Sequence, residues 1–350
     1  MRIFTYVLKR LLAIIPTLFG ITVLTFVMIS VAPGNPLEQA IGNLKFGTGT
    51  RDSAGSVASN ARDQSGVSNE VMEALRTKYG LEDSLPVRYG KWVTKLVRLD
   101  FGNSFIYNRP VTEVIKSRLP VSLQFGLFSF LFTYAISVSL GLLMARRENQ
   151  RTDRSIGVLL LIAAAIPGFV FALAVTALVS QGPLKGLFPL AYLTSENYDL
   201  LSFPAQILDR AHHFALPLFC YTISGLAGLA FLTRNSLLSE ANKDYVRTAR
   251  AMGFSNRNIY FKHILRNALI PISTGIGGFL GIFLSGSLLI ESIFQLEGIG
   301  LLSFRALLTR DYNLIMGLAF LQSLALLFGN LLGDIVYMLI DPRIDLTRAP

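Results

Sequence analysis

The sequence predicts an all-α integral membrane protein with about six transmembrane helices, on three observations. Of its 350 residues 52% are apolar and only 15% are charged, where soluble domains carry about 25% charged residues. Six separate runs are long and apolar enough to cross a hydrocarbon layer of about 30 Å, which takes about 20 residues at about 1.5 Å of rise each. Lys and Arg, which bring the formal net charge to +10, gather at the ends of these runs, as the positive-inside rule requires.

The runs follow in order. Leu11–Pro33, Val121–Ala145 and Ser155–Leu184 hold no charged residue, and the third is interrupted by Pro167 and Pro183. Phe214–Thr233 and Asn267–Ile290 are the fourth and fifth, and Tyr312–Ile340 is the sixth, with one acid at Asp334. The first run exceeds the length of a signal-peptide core, and VAPGNP is a poor cleavage site, so it is expected to be retained. Lys9 and Arg10 precede the first helix, and Arg146, Arg147, Arg151 and Arg154 separate the second from the third. Lys243, Arg247, Arg250, Arg257, Lys262 and Arg266 separate the fourth from the fifth, and Arg343 and Arg348 follow the sixth. The intervening short loops hold only Lys185 with Arg210 and Arg305 with Arg310. Both termini are therefore expected in the cytoplasm.

Four segments result: 1–33 as an N-terminal membrane helix, 34–119 as an external segment, 120–340 as the membrane core, and 341–350 as a cytoplasmic tail. In the external segment, Gly47–Ser68 has almost no large apolar residue and reads as a flexible loop. Asn69 can cap a short helix over Glu70–Tyr79. Pro86 suits the first turn of another helix, in which Tyr89, Trp92, Val93, Leu96 and Val97 recur at helical spacing between Arg88, Lys91, Lys95 and Arg98. An amphipathic helix of this kind fits the membrane interface, and packing against the rest of the chain is the competing expectation. Pro110 is expected to start a short elbow helix with Val111, Val114 and Ile115 on one side.

The loop over 239–266 is the most informative stretch. Helical spacing continues through Tyr245, Thr248, Ala249 and Met252. Gly253 can take the left-handed conformation that closes a helix, and Ser255 can cap a second helix starting at Asn256. Two short helices at an angle should protrude from the end of a membrane helix. Ala249, Ala251 and Gly253 are small enough for close docking, Met252 and Phe254 offer apolar anchors, and Arg247, Arg250 and Lys262 can reach acidic or main-chain groups. The basic residues are equally suited to the positive-inside rule or to anionic lipid.

This loop resembles the "EAA" loop of permease subunits in binding-protein-dependent ATP-binding-cassette (ABC) importers. Aligned on Gly253, the Glu-Ala-Ala triplet falls on Arg247, Thr248 and Ala249, and Lys262–Arg266 replaces the Ile-x-Leu-Pro ending, so the Glu and the last Pro are absent. The string YVRTARAMG with RNALIP is similar to the dipeptide and oligopeptide branch. So are PTLFGITVLTFVMISVAPGNP (16–36), LPVRYGKWVTKLVRLDFGNSF (85–105), RLPVSLQFGL (118–127), RDYN (310–313) and DPRID (341–345). GLFPLAYL (186–193), GSLLIESIFQLEGIGLL (286–302) and the long 34–119 segment resemble the Yej-type peptide permeases, which take up peptides including the peptide–nucleotide antibiotic microcin C.

The resemblance implies the type I importer fold and a coupling site formed by Tyr245, Arg247, Thr248, Ala249, Arg250, Ala251, Met252, Gly253, Phe254, Ser255 and Lys262. It implies a homologous second permease, two cytoplasmic ATPase domains and a periplasmic peptide-binding protein as partners, in the bacterial inner membrane. No cofactor is expected in this chain, with ATP and Mg bound by the ATPase partners. The same machinery with a dipeptide, nickel or heme cargo, an ion-coupled carrier, and a scaffold that moves nothing are the rival readings. No phosphate loop, H-E-x-x-H or G-x-S-x-G string occurs, so the chain is not expected to be an enzyme. His212, His213 and His263 lack ligand-spaced Cys or carboxylates, and nucleic-acid binding is not expected. Cys220 lies in an apolar run and should simply pack. Gly277 with Gly281, and Gly329 with Gly333, have the spacing of close helix contacts and could mark a subunit contact. Ser273, Thr274, Ser285 and Ser287 could line a pathway or bond to the preceding turn. Asp334, expected opposite Arg343 or a basic loop, is the one ionisable group expected inside a span, which argues against proton coupling.

Overall fold

The computed structural model describes residues 2–31, 83–273 and 286–340. In chain order they form α1 (Arg2–Val31), α2 (Leu85–Leu96), α3 (Val111–Arg146), α4 (Arg151–Ala165), α5 (Gly168–Ser180), a 3-10 turn at Tyr198–Leu200, and α6 (Phe203–Ala241). Then come α7 (Asp244–Ala251), the single turn α8 (Asn256–Asn258), a π-helical stretch Ile259–Ile264 that continues as helix over 265–273, α9 (Leu288–Ile293), α10 (Ile299–Leu308) and α11 (Tyr312–Ile340). The only extended pairing among the described residues is one bridge between Asn103 and Pro110.

Among the described residues four helices are long and apolar enough to cross a membrane: α1, α3, α6 and α11. The third expected span is not one straight helix but the pair α4 and α5, bent by 93°. Pro167 brings no N–H to the helix that precedes it and turns its predecessor, Ile166, to an extended conformation (φ −98°, ψ 120°). The fifth expected span is helical over 267–273, lies outside the described residues over 274–285, and is not helical at Gly286 and Ser287 before α9 begins. Gly277, Gly281, Thr274 and Ser285, the loop expected over 47–68 and the helix expected over 70–79 also lie outside the described residues.

The chain divides into two compact units. One comprises residues 1–16, 116–304 and 321–350. Its centre is the cluster of Phe125, Ala172, Cys220, Ile290, Phe294 and Leu296, where the Phe125 and Phe214 rings stack at 3.9 Å. Cys220 is buried there, as expected. Gly141 lets α3 approach α6 so closely that a Cβ would stand 2.6 Å from the Ala230 carbonyl. Asp153 and Arg234 tie α4 to α6 through two parallel bonds of 2.8 and 2.7 Å. Asp334 pairs with α1, accepting from the Tyr6 hydroxyl at 2.7 Å and facing Arg10 at 3.2 Å. Arg343 lies outside the described residues. Gly329 and Gly333 are buried within the chain itself, so this pair is not free to make a subunit contact. Ser273 bonds back to Ile270 at 2.7 Å.

The other unit comprises residues 17–115 and 305–320. Tyr89 of α2 lies against Phe19 and Phe26 of α1, its hydroxyl 2.9 Å from that of Thr22. The competing expectation for α2, packing on the chain, therefore holds for its aromatic side. Asp311 is fully buried. It accepts from Ser104 Oγ at 2.5 Å and from the N–H groups of Phe105 (2.9 Å) and Leu314 (3.1 Å), which pins the turn between α2 and α3. The elbow helix expected after Pro110 is not separate: α3 runs from Val111 through Pro120 to Arg146. Proline removes one donor but keeps a helical φ. Val111, Val114 and Ile115 are buried at one end of α3 and Ser122 and Phe125 farther on, which holds the helix on both sides of the proline.

Candidate functional site

The helix–glycine–helix element after α6 forms as its residues dictate. Lys243 and Asn242 leave the long α6, and Asp244 opens α7. Only one side of α7 is apolar. Val246 and Ala249 point inward and join Leu237, Ile259, Ile264 and Ala268 in a buried cluster. Gly253 takes φ +80°, where a Cβ would be strained, and its N–H donates to the Arg250 carbonyl at 3.0 Å. The Phe254 N–H donates to the Ala249 carbonyl. Ser255 then caps the next turn, its side chain accepting from the Asn258 N–H.

A π-helical stretch follows at Ile259–Ile264. Such insertions carry one extra residue per turn and recur at functional positions. Here the stretch places Ile259 and Ile264 inward and leaves Phe261 outward. The Arg146 guanidinium lies over the rings of Tyr260 (5.0 Å) and Phe261 (5.2 Å), beside an open cleft of about 590 Å³ lined by Arg146, Asn256, Arg257, Tyr260 and Phe261.

The structure separates the sequence-derived site residues into two groups. Arg247, Thr248, Arg250, Ala251, Met252, Gly253, Phe254, Ser255 and Lys262 lie on the exposed surface of the element. Met252 is 65% exposed and Phe254 46%, two apolar side chains amid Arg and Lys. Tyr245 and Ala249 do not belong to that surface. Ala249 is 3% exposed and packs against its own chain, so its small size serves the internal contact and not a docking surface. The Tyr245 hydroxyl donates to Glu240 at 2.7 Å and lies 3.4 Å from the His263 carbonyl. Burial pushes its pKa up to about 12. Tyr245 thus ties the end of α6 to the π-helical stretch. The element is thus packed and hydrogen-bonded to the end of α6, presenting a tip with an apolar centre and a basic rim.

Sequence reasoning missed a second constellation. Glu291 is fully buried. Its carboxylate accepts from the Leu301 N–H at 2.7 Å, the Ser287 N–H at 3.1 Å, and the hydroxyls of Ser122 and Tyr221 at 3.3 Å each. Gly286, Gly298 and Gly300 bring main chain around it closely enough that a Cβ at either of the first two would strike the carboxyl group. The signal was present as an acid inside GSLLIESIFQLEGIGLL, but its place at the end of a span gave no reason to bury it. Asp334 is therefore not the one buried acid to consider.

Residues 137–346, which contain this element, α6 and the glycine-lined acid, match the family described as the binding-protein-dependent transport system inner membrane component. The chain belongs to this family. It is 38% identical to the inner membrane ABC transporter permease protein YejB of Escherichia coli O157:H7, over 97% of this chain and 98% of that one. It is 36% identical to the peptidoglycan transport system permease protein YejB of Agrobacterium fabrum over 98% of both chains. It is also 36% identical to the oligopeptide transport system permease protein AppB of Bacillus subtilis, over 97% of this chain and 99% of that one. As an inner-membrane permease subunit of an ABC transporter the chain is a membrane component and not an enzyme, and its family works with ATPase and substrate-binding partners. The type I importer fold expected from the coupling loop is the fold of this family.

Proposed function

We propose that this chain forms half of the transmembrane pathway of a peptide importer, paired with a homologous permease, two cytoplasmic ATPase domains and a periplasmic peptide-binding protein. The observation that carries this reading is full-length similarity to two YejB permeases and to an oligopeptide permease. The cargo is oligopeptides, including peptide–nucleotide conjugates of the microcin C kind. Peptidoglycan-derived peptides are a second cargo reading, favoured by the name of the Agrobacterium relative. The clustering of Lys and Arg supports an orientation with both termini and the 239–266 loop in the cytoplasm.

The tip of the loop docks in the ATPase, with Met252 and Phe254 as apolar anchors and Arg247, Arg250 and Lys262 at the rim. ATP and Mg are held by those partners. Reversing a two-state transporter from 1:99 to 99:1 takes about 5.5 kcal/mol of differential binding. A stiff element can deliver such work, and the buried face of α7 with the Tyr245 tie supplies the stiffness. Gentle purification of the tagged chain from its native membrane tests the assembly. Recovery of a second permease and an ATPase is expected, and repeated recovery of the chain alone after cross-linking would overturn the reading. Uptake of labelled oligopeptides against labelled peptidoglycan peptides then separates the two cargoes.

A further inference from the structure

The bend between α4 and α5 leaves main-chain groups without partners. Pro167 has no N–H to offer the Ala163 carbonyl. Among the described residues no donor closes on the carbonyls of Ala163, Ala164 or Ala165. The break also lies deep in the membrane. At the start of α4, Asp153 pairs with Arg234, next to the charged end of the uncharged run Phe214–Thr233. At the break, Gly168 packs so tightly on α6 that a Cβ would stand 2.3 Å from Ser224 Oγ, and Ser224 is at the middle of that run.

Among the described residues nothing seals the break, where Ala164, Ala165 and Pro167 are exposed. Beside it the exposed side of α6 carries Ser224 and Gly228, then Leu232, Asn235 and Ser239. Hydrocarbon provides no donor, so irregular backbone at this depth must line water or be covered by protein. A helix of a second permease spends its own N–H groups internally and has few to give. Water and a peptide in extended form both carry free donors.

We infer that the α4–α5 break and the Ser224–Gly228 side of α6 form part of the aqueous wall of the cargo pathway, where the free carbonyls of α4 meet water and the amide N–H groups of a passing peptide. The contact with peptide rests on the peptide-import reading. The aqueous wall does not.

Cysteine accessibility in the assembled transporter tests both, in membrane vesicles and in a Cys220→Ala background. Ala164→Cys is placed at the break, and Gly228→Cys at a site with open space for a side chain. Leu131→Cys, exposed on the unbroken α3 among the exposed apolar side chains of Leu127, Phe128 and Phe132, is the reference. The cysteine thiolate attacks a charged methanethiosulfonate reagent, forming a mixed disulfide and expelling methanesulfinate, and each unit of raised pKa lowers thiolate about tenfold. Labelling at Ala164→Cys and Gly228→Cys is expected to be at least about tenfold faster than at Leu131→Cys. A protein hydrolysate of short peptides, given with ATP, is expected to slow labelling at Ala164→Cys. Equally slow labelling at all three positions, the pattern of a break covered by the second permease, overturns the wall. Fast labelling that the hydrolysate leaves unchanged, in vesicles that accumulate its peptides, overturns the cargo contact. Vesicles that take up no peptide overturn the import reading, while the three rates still decide the wall.

Discussion

Substituting Gly298 by Ala tests whether Glu291 holds its loop as the geometry indicates. A Cβ at position 298 would lie 2.5 Å from the carboxyl carbon of Glu291 and 2.6 and 2.7 Å from its oxygens. The end of a glutamate normally swings aside at little cost. This one cannot, because Leu301 and Ser287 N–H groups and two hydroxyls hold it. Overpacking costs about 1–3 kcal/mol, and pulling the carboxylate off the Leu301 N–H costs about 1.5–3 kcal/mol more if the bond is lost outright. Gly298→Ala should therefore destabilise by about 2–4 kcal/mol. Glu291→Ala strands the Leu301 N–H at about 1–3 kcal/mol, while the Ser287 N–H keeps the Tyr221 hydroxyl as acceptor at 3.1 Å, and it also clears the space the new methyl group needs. In that background Gly298→Ala should be neutral to within about 0.5 kcal/mol, a coupling of about 2 kcal/mol or more between touching residues. The assay is the unfolding midpoint of the purified transporter in detergent for wild type, both single variants and the double variant. Equal cost of Gly298→Ala in both backgrounds would refute the reasoning and place the strain in the backbone.

Further expectations follow from the other constellations. Gly253→Pro should insert normally and lose transport, because φ +80° is closed to proline, while Gly253→Ala should retain part of it at a strain of about 1–2 kcal/mol; uptake with quantified membrane levels decides between them. Asp311→Ala should remove the shared acceptor of the Ser104 hydroxyl and the Phe105 and Leu314 N–H groups and open the turn at 101–109 to protease before α11 is cut, as fragment masses will show. Tyr245 titrates near 12 in the folded chain, against about 10 unperturbed. The folded state thus holds this proton more tightly, so its contribution is full below pH 10 and declines as pH rises toward 12. Tyr245→Phe should remove that alkaline slope from the unfolding midpoint, and an unchanged slope would show that another group causes it. Asp153→Ala should leave the Arg234 guanidinium without its carboxylate, with only the Asn235 side chain at 3.3 Å, and cost up to about 3–5 kcal/mol, while Asp153→Ala with Arg234→Met should recover most of the loss in the same unfolding measurement.

The sequence alone determined the solvent. Uncharged runs and the Lys and Arg at their ends state which helices meet hydrocarbon, because that rule depends on composition along the chain and not on neighbours. It determined the helix–glycine–helix element as well, since the left-handed Gly253, the Ser255 cap and the period of α7 are all local effects. Local rules could not assign depth within the chain. They placed Ala249 on a docking surface, where packing against Leu237 and Ile264 buries it, and they made a separate elbow of residues that α3 carries through Pro120. They also passed over Glu291, whose partners stand 10 residues away at Leu301, 70 at Tyr221 and 169 at Ser122. Only the tertiary structure decided that burial, because a carboxylate is tolerated inside a protein when donors distant in the chain converge on it. The same holds for the proline at 167. The sequence marks where the backbone loses a donor, and the packing of Gly168 on α6 fixes the bend that leaves Ala164, Ala165 and Pro167 exposed.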